Sequence, residues 1–93
     1  MTEFVRAHVI ISGRVQGVFF RMETLEQARK SGVSGWVKNK HDGRVEAVFE
    51  GEKSLVDNVI QWCKQGPPAS RVDNVNLEWE PYTGEFTEFD IRF

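Results

Sequence analysis

Two glycines and an arginine in residues 12–21, which read SGRVQGVFFR, are suited to binding an anion. Gly13 and Gly17 allow a loop to curl so that successive backbone N–H groups point into one concavity. The guanidinium of Arg21 offers paired donors that match a phosphate or a carboxylate. The residue types therefore predict an anion site, and they leave open a plain surface turn in which Arg21 is solvated.

The patterns on either side of this loop predict how it is held. Residues 4–12 alternate in hydrophobicity, as a strand does, and residues 20–31 carry apolar residues at helical spacing up to Gly32, a typical left-handed cap. The first N–H groups of a helix lack partners within it and lie at the positive end of its dipole. Arg21 opposes that dipole, and an anion shared between Arg21 and the loop amides would remove the conflict.

The loop does not match established phosphate-binding motifs, and the rest of the chain shows no metal-binding motif. A P-loop needs Lys after its second glycine, and a dinucleotide fingerprint needs glycines two apart, whereas Val18 follows Gly17 here. His8 and His41 have no Cys or carboxylate at ligand spacing, so we expect no metal site. Cys63 lies in an apolar helical stripe and is expected to be an ordinary buried residue.

The rest of the chain predicts five more elements. A second strand over 33–39 and a third over 44–50 flank an Asp-Gly hairpin turn, and Glu46, Glu50 and Glu52 suggest a solvated face. A second helix follows Ser54, which forms a capping-box-like pattern with Asp57, and stops at Gly66. Two further strands are expected around residues 75–79 and 89–93.

This order predicts one domain, residues 1–93, of the α+β class. It matches the ferredoxin-like, split β-α-β arrangement: an α/β sandwich whose antiparallel or mixed sheet of four to five strands carries two helices on one face. A strand that returns parallel beside the first would bring Asn39 to the same sheet edge as the loop. We therefore expect Arg21 and Asn39 to face one pocket.

Composition narrows the function. The chain has 12 basic and 14 acidic residues, so the basic surplus of a nucleic-acid-binding protein is absent. No apolar run is long enough to cross a bilayer, and the acidic N-terminus does not resemble a signal peptide. With one cysteine no intrachain disulfide can form. We expect a cytoplasmic, monomeric enzyme or small binding module with no nucleic-acid or membrane partner.

The loop motif GRVQGVFFR at residues 13–21, with GWVKN at 35–39 and DGRVE at 42–46, resembles the acylphosphatase family. The similarity extends in one register through Gly51-Glu52 and residues 66–69. It implies the ferredoxin-like fold and hydrolysis of acyl phosphates to a carboxylate and inorganic phosphate, without a cofactor. Phe19 occupies a position that is often small in the family, so it could narrow the pocket mouth.

The resemblance also implies the site residues. Arg21 would hold the phosphate and Asn39 would orient the attacking water. The backbone amides that would cradle the phosphate belong to Arg14, Val15, Gln16, Gly17, Val18 and Phe19. Inorganic phosphate would bind the same site as product and competitive ligand.

Two other functions are weighed against this one. An RNA-binding module of the common kind needs a basic, aromatic third strand, whereas residues 44–50 carry one aromatic and two acidic residues. A domain of a larger carbamoyl-transfer protein, as in hydrogenase maturation, would be accompanied by zinc-finger or nucleotide domains. The free enzyme is therefore favoured, and its physiological acyl phosphate is not legible from the sequence.

Overall fold

Seven elements follow one another in the computed structural model, which describes residues 2–93. Their order, strand, helix, two strands, helix, two strands, is the order that the sequence predicts. The elements are β1 (Phe4–Arg14), α1 (Phe20–Ser31), β2 (Ser34–Asn39), β3 (Val45–Glu52), α2 (Lys53–Gln65), β4 (Arg71–Glu80) and β5 (Phe89–Arg92).

The five strands form one mixed sheet in the order β4-β1-β3-β2-β5, and β2 and β5 are its parallel pair. With two helices packed on it, the predicted ferredoxin-like α+β fold is confirmed. The expectation that β2 lies directly beside β1 is wrong, because β3 lies between them and pairs antiparallel with both. Two antiparallel steps still make β1 and β2 run in the same direction, so both end at the same edge of the sheet.

The core lies between the helices and one face of the sheet. Alternate residues of the inner strands point to that face, and Ala7, Val9 and Ile11 of β1 are fully buried there. Phe20 and Ala28 of α1 complete the layer, together with Val56, Val59, Ile60 and Cys63 of α2. Among residues 2–93 no helix has the length and hydropathy needed to span a membrane.

Of the two predicted helix caps, the one at the end of α1 is present and the one at the start of α2 is not. Gly32 adopts the left-handed conformation, φ 75°, and its N–H bonds back to the carbonyls of α1, which confirms the predicted cap. The predicted capping box of α2 is wrong: the N-cap is Glu52, which makes no side-chain cap. Ser54 bonds Glu52 instead, and Asp57 pairs with Lys53 at 2.9 Å, because β3 runs directly into the helix.

The prediction of a solvated face is wrong for Glu50, whose side chain is 1% exposed. Its carboxylate accepts hydrogen bonds from the backbone N–H groups of Thr83 and Gly84 and from the Thr83 hydroxyl, and Arg6 lies 3.3 Å away. These donors belong to the connection of residues 81–88, which leads from β4 at one edge of the sheet to β5 at the other. The buried charge thus fixes that connection to the sheet.

A close backbone approach at Gly35 gives the first testable prediction. At its φ of 133° a Cβ atom would lie 1.9 Å from the carbonyl oxygen of Val48, a backbone atom of β3 that cannot move cheaply. We expect Gly35→Ala to lower the free energy of unfolding by about 3 kcal/mol or more, because the clash with β3 adds to the roughly 1–3 kcal/mol of a strained backbone position. Urea unfolding followed by circular dichroism measures this loss.

Gly43→Ala is the matched control. Gly43 also has a positive φ, 95°, but a Cβ atom there meets nothing within 4 Å. The Gly43→Ala substitution should lower the free energy of unfolding only by the cost of backbone strain, about 1 kcal/mol. Equal losses in the two variants would show that the contact with β3 carries no weight.

Candidate functional site

A cavity of about 410 Å³ opens where β1 and β2 end and α1 begins. It is formed by the loop between β1 and α1, the first turn of α1, the end of β2 and the last residues of the chain. The residues that line it are Val15, Gly17, Phe19, Phe20, Arg21, Met22, Asn39, Ile91 and Phe93. The two side chains predicted to share a pocket, Arg21 and Asn39, therefore line the same cavity.

Asn39 reaches the cavity through strand alternation. It is the last residue of β2, pairs with Val45 of β3, and has the parity of the fully buried Val37. It therefore lies on the sheet face that carries the helices. That placement puts an amide side chain at the end of the sheet that also carries the loop.

The loop between β1 and α1 is anchored by apolar side chains. Val15 is 1% exposed and Val18 is 5% exposed, so the loop lies against the core. Gly17, with φ 73°, turns the chain between these two anchors, and Phe19, with φ 64°, turns it again just before α1. The backbone of the loop is thereby held at the rim of the cavity.

The loop also leaves donors free. Among residues 2–93, none of the backbone N–H groups of residues 16–19 donates to a backbone carbonyl. Phe19, the N-cap of α1, makes no side-chain cap, so the first amides of the helix also lack that partner. An anion at this position would find several unused donors at the positive end of a helix dipole.

The predicted six-residue cradle begins in a strand. Arg14 is the last residue of β1 and pairs with Arg71 of β4, after a bulge between Ser12 and Gly13. At Gly13 a Cβ atom would lie 2.1 Å from the carbonyl oxygen of Arg71, so only glycine lets the two strands stay paired here. The irregular part of the loop therefore spans residues 15–19 rather than 13–19.

The side chain of Gln16 has a position that sequence reasoning missed. Its amide nitrogen donates to the carbonyl oxygens of Lys40 at 2.7 Å and Arg44 at 2.9 Å. These acceptors lie in the turn between β2 and β3, directly after Asn39. Gln16 thus ties the loop to the strand end that carries Asn39. The sequence signal that could have indicated this contact is a polar residue, Gln16, between two valines, Val15 and Val18.

Arg21 is a cation without an acidic partner. Within residues 2–93 it forms no salt bridge, and its guanidinium carbon lies 5.1 Å from the ring centroid of Phe93. The side chain is half-buried at the cavity wall. An uncompensated guanidinium beside unused backbone donors favours an anionic ligand.

The nearby carboxyl groups are held in the ionised form. Burial alone would raise the pKa of Glu46, but the hydrogen bond from His8 at 2.6 Å and the charges of His8 and Lys38 outweigh it and lower that pKa. Hydrogen bonds from Arg44 lower the pKa of Asp42 to about 2. These carboxyl groups are therefore poorly suited to donate a proton at neutral pH.

The described residues contain no cluster of metal-ligand side chains and no exposed thiol. Among residues 2–93 no three His, Cys, Asp or Glu side chains are grouped so that they could hold a metal ion. Cys63 is fully buried, as predicted, and burial raises the pKa of its thiol to about 12. A thiol in that setting is a poor nucleophile.

The comparisons with known proteins agree on one family. Residues 7–91 match the family model of acylphosphatase. A curated acylphosphatase of Pelotomaculum thermopropionicum is 57% identical over 88 residues, which cover 95% of this chain and 96% of the relative.

Two solved structures extend the similarity to the fold. An acylphosphatase from Coxiella burnetii superimposes with a TM-score of 0.91 at 38% identity and covers 96% of this chain and 93% of its own. An acylphosphatase from Bacillus subtilis has a TM-score of 0.92 at 34% identity, and the match covers 96% of this chain and 99% of its own.

Proposed function

This chain belongs to the acylphosphatase family, and we propose that its site acts on acyl phosphates through Arg21, Asn39 and the loop amides. The observation that carries this assignment of roles is that Arg21 and Asn39 line one cavity, with the loop of residues 15–19 at its rim. Arg21 and the backbone N–H groups bind the phosphate oxygens. Asn39 directs a water molecule at the phosphorus atom.

The proposed reaction forms no covalent bond between the substrate and the protein. The water oxygen forms a bond to phosphorus while the bond from phosphorus to the acyl oxygen breaks, and the electron pair leaves with the carboxylate. Phosphoryl transfer of this kind depends on positioning and on charge stabilisation. The fixed charge of Arg21 and the unused loop donors supply the stabilisation where negative charge develops.

Proton transfer does not require an enzyme group. A carboxylate is a weak base and departs unprotonated, and an oxygen of the substrate's own phosphate takes the proton of the attacking water. Arginine and asparagine do not titrate near neutral pH. The positive charge is supplied by Arg21, so the mechanism needs neither a metal ion nor a cofactor.

The proposal also covers the oligomeric state of the enzyme, its cellular compartment and the binding of its product. Both side chains and the loop come from a single chain, so a monomer carries a complete site. The single cysteine is buried and unpaired, which is compatible with a reducing cytoplasm. Inorganic phosphate is the product and competes with the substrate for the loop.

Hydrolysis of benzoyl phosphate, followed by ultraviolet absorbance with a chelator present, tests the mechanism. We expect turnover without added metal, competitive inhibition by inorganic phosphate, and a kcat that stays nearly constant between about pH 5 and pH 7 because the proposed mechanism uses no acid or base of the enzyme. Loss of activity in the chelator would contradict the metal-free mechanism. A steep change near the pKa of histidine, about 6.5, would reveal an acid or base outside the proposal.

A further inference from the structure

Three large apolar side chains stand exposed around the cavity. Phe19 is 78% exposed, Met22 is 51% exposed and Phe93 is fully exposed, and all three line the cavity that holds Arg21 and Asn39. Single exposed apolar residues are ordinary on protein surfaces, but a cluster around one concavity marks a binding site. The phosphate-binding groups do not account for this cluster.

The backbone of Phe19 strengthens this point. Among residues 2–93 Phe19 is the one non-glycine residue with a positive φ, at φ 64° and ψ 21°. That conformation is unfavourable for a bulky side chain, and burial of the ring does not compensate for it. A strained residue that contributes little to the core points to a role in the site.

The apolar side chains begin where the phosphate contacts end. The ring of Phe93 lies against the Arg21 guanidinium, with 5.1 Å from the ring centroid to Cζ. In an acyl phosphate one bridging oxygen separates the phosphorus from the acyl carbon. A phosphate held by Arg21 therefore places the acyl group among the side chains at the rim.

We infer that Phe19, Met22 and Phe93 form a subsite for an apolar acyl group, with aromatic groups preferred, and this inference rests on the proposed function. The cavity of about 410 Å³ is larger than a phosphate ion needs and falls in the range of small-molecule sites. Among residues 2–93, Arg21 is the one charged residue in the lining of this cavity, so the lining itself offers no second cation to an anionic acyl group. Offset or edge contacts with two phenylalanine rings favour an aromatic group over a small one.

The test compares two substrates within each variant. The ratio of kcat/KM for benzoyl phosphate to kcat/KM for acetyl phosphate removes any effect that a substitution has on both substrates. We expect Phe19→Ala and Phe93→Ala each to lower this ratio about tenfold, the effect of removing several tens of Å² of apolar contact. The change should appear in KM for benzoyl phosphate, because these contacts exist before and during the reaction.

Phe4→Ala is the matched control. Phe4 is also an exposed phenylalanine, at 55%, but it lies at the opposite end of β1 and packs against Tyr82. Its substitution should leave the ratio unchanged, whereas Phe19→Leu should keep much of it because the side chain remains apolar. The ratio of the affinities for benzylphosphonate and methylphosphonate, measured by calorimetry, should change in the same way: lower in Phe19→Ala and Phe93→Ala, and unchanged in Phe4→Ala.

The outcomes separate this inference from the proposed function. If both alanine variants keep the wild-type ratio while benzoyl and acetyl phosphates are hydrolysed, the subsite is wrong and the proposed function stands. If the wild-type protein hydrolyses neither substrate, the proposed function fails and the subsite fails with it. A lower ratio in both variants and not in Phe4→Ala supports the subsite.

Discussion

Replacing Arg21 by alanine should abolish phosphate binding and turnover together. A bidentate guanidinium makes two charge-assisted hydrogen bonds, each contributing about 1.5–3 kcal/mol, so the dissociation constant of inorganic phosphate should rise by about 100-fold or more. The kcat for benzoyl phosphate should fall by about 1000-fold or more, the lower end of what an arginine contributes to phosphoryl transfer. Phosphate binding by calorimetry and hydrolysis by ultraviolet absorbance measure the two effects.

Loss of the fold would not explain this result. Alanine favours helices, and its introduction removes a cation from the positive end of the α1 dipole, so the melting temperature of Arg21→Ala should not fall much. Arg71→Ala is a matched control, since Arg71 is an exposed arginine of β4 paired with Asp73. If Arg21→Ala still bound phosphate as the wild type does, the anion would lie elsewhere.

Replacing Asn39 by alanine should separate binding from catalysis. Asn39 is proposed to direct the water and not to hold the phosphate, so the inhibition constant of inorganic phosphate should stay near the wild-type value. The kcat should fall by about 100- to 1000-fold, or about 3–4 kcal/mol, as when a preorganised hydrogen-bonding group is removed from an active site. Steady-state kinetics with phosphate as inhibitor gives both numbers from one set of experiments.

Two further variants sharpen this experiment. Asn39→Asp keeps the shape of the side chain but adds a negative charge beside the phosphate, so it should weaken phosphate binding as well as turnover. Asn58→Ala removes an exposed asparagine of α2 and should change neither. Near wild-type hydrolysis by Asn39→Ala would mean that some other group positions the water.

The sequence predicted the elements well because their signals are local. Alternation in β1 and β3 and the apolar stripe of α2 follow directly from the side-chain periods of strands and helices. The Asp-Gly turn gives the β2–β3 pairing, and parallel β1 and β2 bring Asn39 to the loop. The shared cavity of Arg21 and Asn39 was therefore predictable, while their proposed roles await the experiments above.

Two of the errors concern relations between distant segments, and the third, at the start of α2, is local. No period in β2 shows that β3 lies between it and β1, or that β5 pairs with its other side. Glu50 fits the outward parity of β3, and only the connection of residues 81–88, more than 30 positions later, buries it. The capping pattern at Ser54 failed because Glu52 already lies at the start of α2.

Two sets of contacts in and beside the cavity were not predicted from the sequence. Ile91 and Phe93 reach it because β5 runs parallel to β2 and the two strands end at the same edge of the sheet. The Gln16 side chain bridges to Lys40 and Arg44 across a gap of more than 20 positions. Such contacts depend on strand order and loop conformation, which a single sequence encodes only weakly.

The position of β5 assigns one wall of the cavity to the last segment of the chain, while Glu50 and Phe49 of β3 hold that segment to the sheet. The strands β4, β1, β3 and β2 pair without β5. Asn39 ends β2, and the loop after β1 leads into α1, which carries Arg21. The segment after Glu80 adds an outer strand and, through Ile91 and Phe93, one wall of the cavity. Transplanting that segment between homologous enzymes would be a route to new acyl-group selectivity that leaves the chemical step to the recipient scaffold.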